Sequence, residues 1–530
     1  MSDYTDFNWL NFKENLYIDD THCLMLDFSR MCLPQDFWPA ITPRIKQAMA
    51  EMRLLEGGAL DEQGNMAGHF WLRAPELAPK PEIAADIKYT KTEISRLAGL
   101  VHSGALRGED DALFSQLLVI GVGGSCQGTR YISRALSSQA DHLRLFFLDN
   151  TDPCGMAELF VAIQPRLAQT LVAVVSKSGS TVETINGMLE TQAFFKTQGL
   201  NFASHAISVS TAGSALDILA LKDGWLTRLT VPDWISGRFS LCTAVGLLPL
   251  ALQGVNIDAF TSAMAYMDAK TRQNCPNQNP AALLAGALYG LTKGQNHSQL
   301  VLLPYRDNLE YLPAYLQQLI MESIGKEYDR NGRRVCQGLT VYGHKGTSDQ
   351  HSYLQQLLAG PDDFCAVFVE VLNSWQDTFC YLDGKSSAAD DLEASLLATR
   401  RLLSAADRKS ITITLPKTDA ACLGYLVALW ERSVGLYAAM LNLNAYDQPA
   451  VEQIKTELPA LMLLKERLIS CLAAKTGQVF TLEQIVEDLC FSADRESVFK
   501  WLRYLVSDPL SYIKLLPGEN IWEDRYYYSP

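Results

Sequence analysis

Apolar residues fall into short runs, each followed by a small-residue turn and then by a stretch with helical spacing. Strand-type runs occupy 114–120, 143–148, 171–175, 206–210 and 226–231, with helical sequence or a turn between them. That alternation predicts a doubly wound parallel sheet. A helix-rich passage from Arg238 to Lys293 follows, and the rhythm then returns at 300–304, 339–342, 366–371 and 411–415. The expected fold class is therefore α/β, with two doubly wound parallel-sheet domains, each an αβα sandwich, and a helical C-terminal extension.

Residues 1–80 carry helical patches interrupted by Pro34, Pro39, Pro43 and a loop over 56–68, and they read as an N-terminal helical segment packed on the large domain. A charged amphipathic helix over 87–106 opens the first sheet domain, placed at 81–252; the second is placed at 253–441 and the helical extension at 442–530. Within that extension, 480–505 has the outline of a helix-turn-helix. Glu483, Glu487, Asp488, Asp494 and Glu496 give it the wrong sign for DNA.

Charge points the same way along the whole chain. A formal net charge of -14 over 530 residues argues against nucleic acid or an anionic membrane as partner. The longest apolar stretches, 241–252 and 281–291, fall short of the roughly 20 residues that cross a bilayer. Twelve cysteines stand singly, without a CxxC pair or a Cys/His cluster, so neither zinc nor a disulfide framework is expected. The first residues, MSDYTDFNWLNFKEN, lack the basic start and apolar run of a signal peptide, which suggests a cytoplasmic protein.

The candidate chemistry begins at two strand ends. After the run 171–175, the turn SKSGST (176–181) aims backbone N–H groups, hydroxyls and one ammonium at a point beyond the strand, as binding of a phosphate monoester requires. It lacks the GxxxxGK[ST] order of a nucleotide P-loop. An ordinary strand-to-helix turn would use the same Ser and Gly. After the run 114–120, Gly121 to Ser125 read GVGGS; the G-x-G-x-x-G spacing of a dinucleotide site fails at Cys126, and no cofactor is expected. Gly124 lets backbone approach a sugar, with Ser125 available to one of its hydroxyls.

These two turns together resemble the sugar isomerase (SIS) family of phosphosugar-binding domains, which implies phosphate held by Ser176, Lys177, Ser178 and Thr181. Four later segments sharpen the resemblance: Arg238 in SGRFSLCTAVGL, Glu322 in YLQQLIMESIGK, His351 in GTSDQHSYLQQL and Lys455 in YDQPAVEQIK. In that order they are similar to the signature segments of the glucose-6-phosphate isomerase family, over most of the chain from Gly121 to Lys455. Ser178 and Gly179 stand where some relatives carry Thr and Phe, which keeps a hydroxyl and shortens the loop wall.

The resemblance implies interconversion of glucose 6-phosphate and fructose 6-phosphate, without metal or organic cofactor, by homodimers that share their active sites. It assigns proton transfer to Glu322, stabilisation of the enediolate to Arg238, and help with ring opening to His351, from the neighbouring subunit, and Lys455, seven residues after Gln448. Aldose–ketose chemistry needs this set: a carboxylate base, a cation beside the developing enediolate and an acid/base pair for the ring. Gln318 and Glu322 would share one helix face, Gln318 orienting a sugar hydroxyl. Taken alone, Glu322 reads as a surface i,i+4 partner of Lys326, and Lys455 as a solvated helix lysine. A dual isomerase that also accepts mannose 6-phosphate, and a noncatalytic phosphosugar sensor, remain the competing readings.

Overall fold

The structure is a computed structural model and describes residues 9–19, 24–61, 63–294, 298–373, 386–489 and 494–530, without the side chains of Asp110, Glu452 and Lys455. The chain divides into two compact units, Met1–Asp447 and Gln448–Pro530. Among the described residues, no helix is long and apolar enough to cross a membrane.

After a helical stretch at 9–14, the first unit forms strands β1 (Leu16–Asp19) and β2 (Leu24–Arg30). A five-stranded sheet then forms from β3 (Gln116–Ile120), β4 (Arg144–Leu148), β5 (Thr170–Val175), β6 (Ala206–Ser210) and β7 (Thr227–Thr230). All its pairings are parallel, in the order β4-β3-β5-β6-β7. Alternate residues of the central strands feed different cores, as a period of two demands. Leu117, Val119, Leu171, Ala173 and Val175 join one cluster, whereas Leu118, Ile120, Val172 and Val174 join another that includes Met188 and Phe195 of the helix Val182–Thr197. Both faces are therefore covered, which is why these strands read as unbroken apolar runs.

The second sheet contains β8 (Gln299–Pro304), β11 (Thr340–Gly343), β12 (Phe364–Val371) and β13 (Lys409–Leu415), all parallel; the hairpin β9 (Lys326–Tyr328) and β10 (Arg334–Gln337) stands apart from it. Its order is β1-β2-β13-β12-β8-β11, with β2 antiparallel to both β13 and β1. The N-terminal segment is thus not purely helical: two of its strands extend the second sheet. Leu24, Leu26 and Phe28 alternate inward and are buried, a strand pattern that the prolines further along obscured. The helix Phe37–Glu56 runs straight through Pro43.

In the first sheet the chain leaves β3 for β4 on one side and then crosses to β5 on the other. The crevice beyond the C-terminal ends of β3 and β5 is the place where open α/β sheets bind ligands. Both candidate turns, 121–125 and 176–181, lie at these two ends. The second unit is not helical throughout either: it pairs three α-helices with a hairpin, β14 (Ile513–Leu516) and β15 (Arg525–Tyr528).

Candidate active site

The turn after β3 depends on its glycines for close approach. Gly123 has φ +57, in the left-handed region, and a Cβ there would lie 3.1 Å from Gln318 Nε2. A Cβ on Gly124 would meet the main-chain carbon of Gly237 at 2.3 Å, so the two backbones touch directly. Ser240 Oγ closes the seam by donating to the carbonyls of Gly124 (3.2 Å) and Gly237 (2.6 Å). Ser125 is half-buried at the end of this turn.

The turn after β5 is organised around Ser176, which is buried. Its Oγ lies 3.0 Å from Thr181 Oγ1 and accepts from the N–H of Gly179 at 3.1 Å. Ser178 and Ser180 are exposed, their hydroxyls 3.2 Å apart, so the rim of the turn offers two more donors. Thr181 is the N-cap of the helix Val182–Thr197, yet its side chain does not cap it. The helix presents its first-turn N–H groups and the positive end of its dipole without a side-chain cap, a ready site for an anion. Lys177 behaves differently from a simple anion ligand. Its Nζ donates to the carbonyls of Asp233 and Ile235, both at 2.7 Å, and so ties the turn to the following loop.

Arg238 lies in the 3-10 turn Gly237–Cys242 and is buried. Its Nε donates to Ser323 Oγ at 2.7 Å, and Nη2 donates to the carbonyls of Ala445 and Asp447, the latter at 2.9 Å. With these positions fixed, Nη1 reaches Glu322 Oε2 at 3.5 Å. Burial lowers the Arg238 pKa, and the charges of Glu322 and Asp447 oppose that shift. An arginine starts so high that it stays charged. Its guanidinium lies over the ring of Phe239, against which the rings of His69 and Tyr446 pack. Burial, followed by the charges of Arg73 and Arg432, holds His69 well below the usual histidine range, so this floor adds no competing cation.

Glu322 and Gln318 come from the helix Leu312–Ile324, and Gln318 Nε2 donates to Glu322 Oε2 at 3.3 Å, the shared face that their spacing implies. The Glu322 side chain retains 25% exposure, enough to meet a small molecule. Lys326 does not form the surface pair that the i,i+4 spacing suggested. Its Nζ donates to the main-chain carbonyl of Glu322 (3.1 Å) and to that of Asp447 (2.8 Å), and pairs with the Asp447 carboxylate at 3.1 Å. Burial lowers the Lys326 pKa while Asp447 opposes the shift. The carboxylate of Glu322 is thereby left to Gln318 and Arg238.

The structure thus brings Gly123, Gly124, Gln318, Glu322 and Arg238 into one crevice wall, with Ser176, Ser178 and Thr181 on the adjacent strand end. It does not bring His351 there. That residue is exposed in the helix Gly346–Ala359, beyond the second sheet, and no described residue hydrogen-bonds to its imidazole. Gln448 and Lys455 belong to the second unit: Gln448 precedes the turn Pro449–Glu452, and Lys455 is the second residue of the helix Ile454–Ala473, its side chain outside what the structure describes. Sequence reading missed Ser323 and the Asp447 carbonyl, which hold the arginine, and Ser180 in the phosphate turn. Ser180 was legible in the motif; the other two act through contacts distant in sequence.

A family profile described as phosphoglucose isomerase matches residues 68–463. The glucose-6-phosphate isomerase of Desulfitobacterium hafniense (strain DSM 10664 / DCB-2) is 44% identical over 98% of this chain and 98% of its own. That of Synechococcus elongatus (strain ATCC 33912 / PCC 7942 / FACHB-805) is also 44% identical, over 94% of each chain. In fold, the chain is similar to a crystal structure of a glucose-6-phosphate isomerase from Chlamydia trachomatis, with a TM-score of 0.76, 24% identity and coverage of 86% and 91%.

Proposed function

Because the chain belongs to the phosphoglucose isomerase family, we propose that its Glu322 and Arg238 drive the interconversion of glucose 6-phosphate and fructose 6-phosphate. The enzyme is an aldose–ketose isomerase, and what the crevice adds is a division of labour among its residues. The observation that carries it is one carboxylate oxygen, Glu322 Oε2, held 3.3 Å from Gln318 Nε2 and 3.5 Å from Arg238 Nη1.

In the forward direction Glu322 takes the proton from C2 of the open-chain aldose, and the electron pair moves to make the enediol while O1 gathers negative charge. The fixed guanidinium of Arg238 stabilises that charge, and its three anchors mean that little reorganisation accompanies the step. A hydroxyl proton passes from O2 to O1, and Glu322 then returns its proton to C1, so that C2 becomes the carbonyl of the ketose. The phosphate rests in the turn 176–181 against N–H groups, with Ser176, Ser178 and Thr181 as hydroxyl donors and Lys177 bracing the turn and adding its charge. Gly124 and Ser125 face the sugar, with Gln318 orienting a hydroxyl.

Ring opening falls to His351 and Lys455, with Gln448 beside them in sequence. An exposed His351 suits a homodimer in which this imidazole serves the partner's crevice. The deciding experiment is isomerisation of fructose 6-phosphate in deuterated water: wild type incorporates solvent deuterium into product, and Glu322→Gln does neither isomerisation nor exchange. Full exchange by Glu322→Gln would move the base elsewhere.

A further inference from the structure

The helix that carries Glu322 ends at Ile324, and the carbonyls of its last turn look outside it for donors. Lys326, the first residue of β9, supplies one. It is 8% exposed, and its Nζ donates to the Glu322 carbonyl at 3.1 Å. The same nitrogen donates to the Asp447 carbonyl at 2.8 Å. That oxygen also accepts from Arg238 Nη2 at 2.9 Å, so two cations share one carbonyl. A single ammonium therefore holds both mounts of the catalytic pair: the main chain that carries the base and the main chain that anchors the guanidinium.

Two cations on one oxygen repel each other, and the Asp447 carboxylate offsets that repulsion. Its Oδ1 lies 3.1 Å from Lys326 Nζ, while Oδ2 accepts from Gln63 Nε2 at 2.8 Å. The preceding residues are held in the same manner. Asn444 Oδ1 accepts from the N–H of Tyr446 at 2.9 Å, and Asn444 Nδ2 donates to Asp61 Oδ2, also at 2.9 Å. The segment 444–447 is thus fixed at both ends by groups other than Arg238. Taking an ammonium out of water is costly, and a helix end can be satisfied by water alone. What this buried ammonium adds is a fixed spacing between two carbonyls.

We propose that Lys326 is a positioning residue for proton transfer: by bridging the carbonyls of Glu322 and Asp447 it sets the 3.5 Å separation of Glu322 Oε2 and Arg238 Nη1. The inference rests on the reading of Glu322 as the base. Nζ is occupied by two carbonyls and a carboxylate, so it acts on the reaction through the pair. Misplacing a reacting group by about 1 Å can cost about 10²-fold in rate. The enediolate is the species most exposed to such a shift, because its charge meets the guanidinium only where the carbonyls hold it. The loss falls on kcat, whereas the turn 176–181 continues to hold the phosphate.

Two variants separate position from charge. Lys326→Arg keeps the cation and its pairing with Asp447, yet a planar fork cannot set one nitrogen between two carbonyls. Lys326→Met combined with Asp447→Asn removes both charges together, so no unpaired carboxylate is left to destabilise the fold. In steady-state turnover of fructose 6-phosphate, read per folded molecule by circular dichroism, kcat should fall about tenfold in the first and about 30-fold in the second. KM and the inhibition constant of inorganic phosphate should both stay within about threefold of wild type. A kcat within about threefold of wild type in either variant overturns the proposal, as does a loss that appears in KM or in phosphate inhibition instead. Glu322→Gln in the same assay keeps the two readings apart. If it turns over like wild type, the base lies elsewhere; if it is inactive while the Lys326 variants are fully active, the positioning role alone fails.

Discussion

Beyond β3 and β5 the chain leaves a glycine turn facing a hydroxyl turn, whereas at the matching place in the second sheet, beyond β8 and β12, it sets its own charges. There Arg306 Nη2 donates to the Val371 carbonyl at 3.1 Å, Thr414 Oγ1 donates to Glu370 Oε2 at 2.5 Å, and Glu393 of the helix Ala388–Ala405 crowds the Glu370 carboxylate. One topology thus yields two outcomes. Where small residues end the strands, backbone N–H groups are free for a ligand; where long charged residues end them, the protein satisfies itself. The comparison shows that the topology supplies the crevice and the residues at the strand ends decide whether it stays open.

The largest test removes the chemistry from the open crevice. Glu322→Gln keeps the shape and the Gln318 contact but removes the base, and kcat in a coupled assay should fall by about 10³-fold or more. Mixing that variant with His351→Ala probes whether the second sheet contributes across a dimer. Each is nearly inactive alone, and subunit exchange should restore roughly a quarter of wild-type activity, since half the dimers carry one intact site; no recovery would place the imidazole in the same chain. Arg238→Lys should lower kcat by about 10²-fold, because an ammonium cannot reproduce a fork bonded to Ser323, Ala445 and Asp447. Ser176→Ala or Thr181→Ala should act mainly on binding, raising KM about tenfold with a smaller change in kcat.

The smallest effect belongs to the strand ends of the second sheet. Burial, then the hydrogen bond and charge of Glu370, push the Glu393 carboxyl up to about 7. A carboxyl with a raised pKa binds its proton more tightly in the folded chain than in the unfolded one. Its stabilising contribution is therefore present at low pH and is lost as pH rises from the ordinary carboxylate range through 7. Glu393→Gln should accordingly be near neutral at pH 5 and should stabilise by about 1 kcal/mol at pH 8, discounted for solvent screening. Urea unfolding at the two pH values checks this.

The parallel sheets were legible because their strands are buried on both faces and flanked by turn residues, and 206–210 agrees with the structure at both ends. The strands β1 and β2 were not, since only pairing with β13 gives them a sheet to belong to. In the site, SKSGST and GVGGS were readable from local chemistry, and the shared face of Gln318 and Glu322 from helical geometry. The grip on Arg238 was not: Ser323 is 85 residues away along the chain and Ala445 is 207 away, and no local pattern announces such a pairing. Lys177 shows the same limit, because a lysine in a phosphate turn looks like an anion ligand until its two carbonyl partners are seen.

The seam where Gly124 lies against Gly237 has a mechanical consequence. A joint that flexes needs slack, usually a side chain able to change rotamer, and here none intervenes. Any push on the sugar-facing loop therefore reaches the guanidinium undamped, and the two behave as one rigid jaw. Widening this enzyme to a bulkier substrate would have to proceed from the opposite wall.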